Sequence, residues 1–214
     1  MPRRTAMNFT MGKSAKPSKT PTKYLVEEED DAEVLDGIEE IKAINNHIYF
    51  YSDVSMYSIL NLTEIIKKTT QKLLVMNIKF DCDIEIYLHI NSGGGDVFAV
   101  LSIINLIENN KININTIIEG QACSAATILA MVGSTRQITQ NSYMLIHNIS
   151  SGFWGKMHEF EDEMKNLTLL TKDIKKLYKK YTNITTKQLE QLLKKDLLLD
   201  AKTCMSYGLI DEIV

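Results

Sequence analysis

The chain is short of cysteine, proline and tryptophan, with three, three and one among 214 residues. Cys82, Cys123 and Cys204 are odd in number, far apart and never in a C-x-x-C pair. That argues against a disulfide framework and a cysteine-rich zinc site, and fits a reducing compartment. No metal-ligand spacing is present, so no metal or other cofactor is expected. No apolar run approaches the roughly 20 residues of a membrane span. Arg3 and Arg4 have no apolar stretch behind them, so no secretory signal is expected. Cationic excess is missing as well: 24 Lys and Arg against 27 Asp and Glu give a formal net charge of -3. Such a balance provides no overall basic field toward nucleic acid or an anionic membrane. The expectation is a soluble protein that is intracellular or made inside a host cell.

What is present is a 44% hydrophobic chain, enough for one well-buried core. Residues 1–35 fall outside that core. They are Ser/Thr/Pro/Lys-rich and then acidic from Glu27 to Asp31, without the apolar content that would offset ordering entropy. They are expected to form a disordered tail ahead of a single domain over 36–214. Within that domain, 47–51 reads as an aromatic, β-branched strand. Asp53 is placed to cap a helix running through Leu73. Ile84, Ile86, Leu88 and Ile90 alternate with polar neighbours as a strand, and 97–108 reads as an apolar helix. Further strands are expected at 115–119 and 143–147, with a small-residue helix at 124–132 between them. Residues 156–181 hold no Gly or Pro and repeat apolar residues at three- and four-residue steps, predicting one unusually long amphipathic helix. Thr185 and Gln188 resemble a capping box, Asp200 can cap a last short helix ending at Gly208, and 209–214 reads as a closing strand. Strands alternating with helices make an α/β protein.

Three short stretches bear on chemistry. In Gly120-Gln121-Ala122-Cys123-Ser124-Ala125-Ala126 a strand turns into a helix at a serine. Such a serine is often only an N-cap, but the position also suits a nucleophile, because free amides and the helix dipole stabilise negative charge beside it. His147 follows Met144-Leu145-Ile146, at a strand end where ligands collect in α/β sheets. Asn91-Ser92-Gly93-Gly94-Gly95 can turn main-chain N–H groups outward, as an oxyanion hole requires. It fits neither G-x-G-x-x-G nor a P-loop, which sets a phosphate cradle aside. His47, His89 and His158 read as structural or surface residues.

Together, and in this order, these stretches resemble the ClpP peptidase family over roughly 38–214. Ile90 to Gly95 matches the family's I-N-S-x-G-G, Gly120 to Ser124 its G-x-A-x-S, and Met144 to His147 its M-x-I-H. Ser206 to Asp211 echoes the closing E-Y-G-L-x-D. The resemblance implies a spiral of β-β-α units, also seen in crotonase-like enzymes, with 156–181 as a projecting handle. It implies a serine endopeptidase with Ser124 as nucleophile, His147 as base and Asp196 orienting the imidazole, with Asp200 as the alternative carboxylate. Backbone N–H groups of Gly95 and Ala125 would form the oxyanion hole. Gly93, Gly94, Asp96 and Val97 on one side, and Asn148, Ile149 and Ser150 on the other, would bind an extended polypeptide substrate. Heptameric rings, singly or as two stacked rings, and delivery by an AAA+ Clp ATPase are further implications.

The chain departs from the family pattern at Gly93, where proline is usual, and at 148–152, which replaces Q-P-x-G-G. Lys194 and Lys195 stand where ring-contact residues are common. The shortened serine-to-histidine spacing also resembles phage head-maturation proteases of ClpP type. Rival readings are a catalytically silent ring subunit and a crotonase-like acyl-CoA enzyme.

Overall fold

The computed structural model describes residues 41–214, so the tail expected at 1–35 lies outside the described residues. Strand β1 (Ile41–Ile44) turns through Asn45, at φ 58°, into antiparallel β2 (His47–Phe50). Helix α1 (Met56–Phe80) leads to β3 (Ile86–Ser92), and α2 (Val97–Glu108) leads to β4 (Ile114–Cys123). Strands β2, β3 and β4 are parallel neighbours. Then come α3 (Ala125–Met131), β5 (Arg136–Ile138), β6 (Tyr143–Leu145), α4 (Met157–Tyr181), α5 (Thr186–Leu192), β7 (Leu198–Asp200), α6 (Ala201–Ser206) and β8 (Glu212–Ile213).

The central event is a fork in β4. Thr116 to Ile118 pairs with β5, whereas Gln121 to Cys123 pairs with β6. Between them lies Gly120, at φ 85°, where a Cβ would sit 3.1 Å from the Asn91 amide. A left-handed residue at this crowded bend is best supplied by glycine. Its N–H donates to Ser142 Oγ at 2.6 Å, so the bend keeps its backbone satisfied. The sequence pattern predicts that this strand ends at Gly120; glycine bends it there instead. On its far side β6 pairs antiparallel with β7, and β5 pairs parallel with β8.

Two helix starts show how local chemistry sets position. Ser55, not Asp53, caps α1: its hydroxyl accepts from Ser58 N at 3.0 Å while Ser58 Oγ accepts from Ser55 N at 2.9 Å. The start moves two residues on because the preceding stretch is tied to the Gly-rich turn, with Val54 N donating to Gly94 O and Asp96 N to Val54 O, both at 2.7 Å. Helix α2 begins where expected, and Asp96 Oδ1 accepts from Phe98 N and Ala99 N. The capping box of Thr185 and Gln188 and the Asp200 cap on Thr203 N are present.

Ile48 and Phe50 on β2, Ile86, Leu88 and Ile90 on β3, and Ile114 and Ile118 on β4 are buried in one core with the apolar faces of α1 and α2. Each fully buried Ile or Leu contributes about 1.5–3 kcal/mol of transfer free energy. Helix α3 is buried along its whole length, which its small residues allow. Helix α4 behaves differently. Only Ile174 and Tyr178 are buried, while Met157, Phe160, Met164 and Leu169 stay exposed. Among the described residues of this one chain, the N-terminal half of its apolar stripe is only partly covered, chiefly by Phe153 edge-on to Phe160.

Candidate active site

Ser124 occupies the turn between β4 and α3 with φ 53° and ψ -123°. A non-glycine residue there is strained by about 1–3 kcal/mol and persists only where its surroundings fix it. The surroundings are visible. Ser124 N donates to Leu145 O at 2.8 Å, and Ser124 O accepts from Thr127 N at 3.0 Å and from Thr127 Oγ1. Although Ser124 stands at the N-cap position, its side chain makes no capping hydrogen bond. The capping role that commonly explains a serine before a helix is therefore absent.

The Gly-rich turn presses against this serine. A Cβ on Gly94, at φ 97°, would come within 2.5 Å of Cys123 O and 2.7 Å of Ser124 Cβ. One on Gly95, at φ 141°, would lie 2.2 Å from Val54 O. Gly93 differs, since its nearest neighbour would be Asp53 Oδ1 at 3.5 Å, an ordinary contact. Ser92 Oγ accepts from Gly94 N at 3.2 Å and holds the turn from inside the sheet.

Strand β6 ends at Leu145, two residues earlier than expected, and His147 lies just beyond it. The antiparallel ladder ends at Leu145 with Leu198, and its register, extended two residues, sets 147 opposite 196. His147 Nδ1 lies 3.3 Å from Asp196 Oδ1, with the carboxylate 80% exposed and the imidazole 29%. Asp200 is opposite Tyr143 at the other end of the ladder and is engaged in capping α6, where hydrogen bonds to Thr203 hold its carboxyl below the usual range. The carboxylate beside the histidine is thus Asp196.

Ser124 and His147 line one cleft of about 290 Å³. No hydrogen bond joins their side chains among the described residues. One wall is Gly95, Asp96, Val97 and Phe98; another is Asn148, Ile149, Ser150 and Ser151. Gly93 and Gly94 are not among the lining residues, and the Asp96 carboxylate faces its own helix as a cap. Gly95 and Ala125 both line the cleft, and no hydrogen bond occupies either backbone N–H among the described residues. The floor comes from residues that motif reading misses: Ile128 of α3, Leu170, Ile174 and Tyr178 of α4, and Leu193. Their signal was the apolar periodicity of α4, which marks a buried face without saying that part of it faces a cleft. Tyr178 is buried, which pushes its phenol up to about 12, and it hydrogen-bonds Thr127 Oγ1 at 2.5 Å. This contact joins α4 to the helix that begins at Ser124.

Among the described residues no group of three or more His, Cys, Asp or Glu side chains is placed to hold a metal ion, and no helix is long and apolar enough to cross a membrane.

Fold and cleft define a mixed α/β protein in which a strained serine, an imidazole paired with a carboxylate, and a glycine turn converge. Residues 39–214 match the family model described as Clp protease, and the chain belongs to that family. It is 31% identical over 132 residues to the ATP-dependent Clp protease proteolytic subunit of Deinococcus radiodurans, an alignment covering 61% of this chain and 65% of that protein. The chain thus aligns with a little under two thirds of that relative's length.

Proposed function

We propose that the chain is a serine endopeptidase, the proteolytic subunit of a Clp-type chambered protease acting on unfolded polypeptides in the cytoplasm. The observation that carries this reading is Ser124: strained, not engaged as a cap, and in one cleft with His147, whose Nδ1 faces Asp196.

In the proposed reaction, His147 takes the proton of the Ser124 hydroxyl as Oγ attacks the scissile carbonyl carbon. Asp196, accepting at Nδ1, holds the tautomer that leaves Nε2 free as base and stabilises the imidazolium that forms. The tetrahedral oxyanion is received by the unoccupied N–H groups of Gly95 and Ala125. Collapse expels the amine, which takes the proton from His147, and leaves an acyl ester on Ser124. Water, deprotonated by His147, then hydrolyses the ester. The Ser124–His147 hydrogen bond forms when substrate or assembly closes the cleft, since such bonds are often long in unliganded enzymes. Substrate lies extended between 95–97 and 148–150, with a side chain in the apolar floor beside Ile128 and Ile174.

Assembly is supported by α4. Phe153 and Trp154 ahead of it and Met157, Phe160, Met164 and Leu169 along it are exposed, Trp154 at 97%. Its first half carries Glu159, Glu161, Asp162 and Glu163 against a single Lys165; its second carries Lys172, Lys175, Lys176, Lys179 and Lys180 against a single Asp173, with Lys175 and Lys180 also paired to Glu190 and Glu108. Two copies packed antiparallel about a two-fold axis therefore set each acidic half against a basic half while covering the apolar stripe. That suits a handle joining two stacked heptameric rings.

The test is hydrolysis of an unfolded fluorescent casein and short fluorogenic peptides, with and without a Clp ATPase. Turnover by the wild type, lost in Ser124→Ala and His147→Ala, supports the peptidase reading. Stimulation by the ATPase supports the Clp-type role over an ATPase-independent maturation protease. Unchanged turnover in Ser124→Ala refutes the assignment.

A further inference from the structure

The sheet face turned away from α1 and α2 carries a polar chain that the proposed chemistry does not use. His47 Nδ1 lies 2.8 Å from His89 Nε2, and His89 Nδ1 lies 2.9 Å from Glu119 Oε1. The other Glu119 oxygen accepts from Tyr51 OH. His47 stacks on Tyr87 at 5.1 Å and His89 on Tyr49 at 4.4 Å. The chain ties β2, β3 and β4 together side by side, and His89 is buried. Two of these strands run straight into the site. Strand β3 passes from His89 to the Gly-rich turn, and β4 passes from Glu119 through the Gly120 bend to Ser124.

We propose that His47, His89 and Glu119 form an acid-sensitive latch that positions both loops of the active site and releases when the imidazole pair takes up a second proton. Ionised Glu119 accepts from His89 Nδ1–H, so neutral His89 presents a bare Nε2, which accepts from His47 Nδ1–H. One added proton leaves the chain intact, because one facing nitrogen is still an acceptor. Two added protons set N–H against N–H at 2.8 Å and place two cations side by side, so the pair must part. Burial, and then the charge of His89, hold His47 below its ordinary value, while Glu119 pulls the other way. Burial alone would raise Glu119, but hydrogen bonds from Tyr51 and His89 outweigh it and keep the carboxyl below its usual range. Burial and the bond to Glu119 push Tyr51 up to about 12, so it remains a donor. The other titratable groups on this face are Tyr49, Tyr87, Lys42, which is opposite Tyr49 on β1, and Glu212 on β8, whose carboxylate accepts from Gln137. Glu85, just ahead of β3, is engaged by Asn113 and Asn115.

Because His47 is harder to protonate folded than unfolded, the unfolded chain binds more protons between the lowered folded value and about 6.5. Stability is complete above that window and falls as pH drops through it, by up to about tenfold in the folding equilibrium per pH unit.

The latch is tested on the full chain with His47→Gln, measuring urea unfolding between pH 7.5 and 5, NMR titration of the His47 and His89 imidazoles, and peptide hydrolysis. Wild type should lose stability across that window and the variant should not, and the two wild-type imidazoles should titrate in separate steps. The effect on turnover rests on the peptidase reading. Release of the latch should make the acid limb of kcat/KM steeper in the wild type than in His47→Gln. Superimposable stability curves, or imidazoles that titrate independently, overturn the latch. Absence of turnover at every pH counts against the peptidase reading alone, because unfolding and NMR still decide the latch.

Discussion

Adding one methyl group to neighbouring glycines should separate the two jobs of the Gly-rich turn. At Gly94 the new Cβ would lie 2.5 Å from Cys123 O, 2.7 Å from Ser124 Cβ and 3.2 Å from Ala125 N, at a φ of 97°. The backbone penalty is about 1–2 kcal/mol. The contacts cannot be relieved by rotating a side chain, because the obstacles are backbone and a Cβ. Either the turn or the serine must move by most of an ångström. A misplacement near 1 Å costs about a hundredfold in rate, so Gly94→Ala should lose at least that in kcat/KM. A total destabilisation near 2 kcal/mol would lower Tm by about 4–8 °C for a domain of this size. Gly93→Ala meets nothing closer than 3.5 Å. It should stay within about tenfold in activity and about 0.5 kcal/mol in stability. Peptide hydrolysis and thermal unfolding of both variants measure these effects. Equal damage at the two positions, or a fully active Gly94→Ala, would refute the packing argument.

Other perturbations probe separate links. Asp196→Asn should lower kcat by orders of magnitude with little change in Tm, whereas Asp200→Asn should keep activity and alter only the α6 cap, within about 1 kcal/mol; reversed results would move the orienting role to Asp200. Ser124→Gly should be more stable than Ser124→Ala by about 1 kcal/mol, both being inactive, because glycine relieves the φ of 53°; chemical unfolding compares them. Hydrogen bonds from Arg136 hold the Asp211 carboxyl below its ordinary value, so this contribution is present above about pH 4 and lost as pH falls through the lowered value. Urea unfolding of Asp211→Asn should therefore show a flatter stability curve over that acid range than the wild type.

Most of the fold was legible where a segment was long and periodic. Helices α2 and α4 fall within a residue of expectation because capping and apolar spacing agree at Asp96 and from Met157 onward. The missed strands, β1, β5 and β7, have three or four residues each, too few for alternation to register. Strand β7 matters most for the site. Its pairing with β6 brings Asp196 to His147, a contact 49 residues apart that no local spacing encodes, and the sequence pointed to Asp196 only through family resemblance. Ser124 was visible in its motif, but its strained backbone and the absence of a cap bond were not. The cleft floor was hidden because a leucine facing a core and a leucine facing a cleft read alike. The imidazole pair was hidden for a similar reason: His47 and His89 look like isolated residues until parallel pairing sets them side by side.

The most direct test of the central claim is intact-mass spectrometry after exposure of the assembled protein to a fluorophosphonate, with peptide mapping of the adduct. The account predicts a single adduct on Ser124, absent from Ser124→Ala and formed far more slowly in His147→Ala. No adduct on assembled wild type, or one that persists in Ser124→Ala, would contradict it.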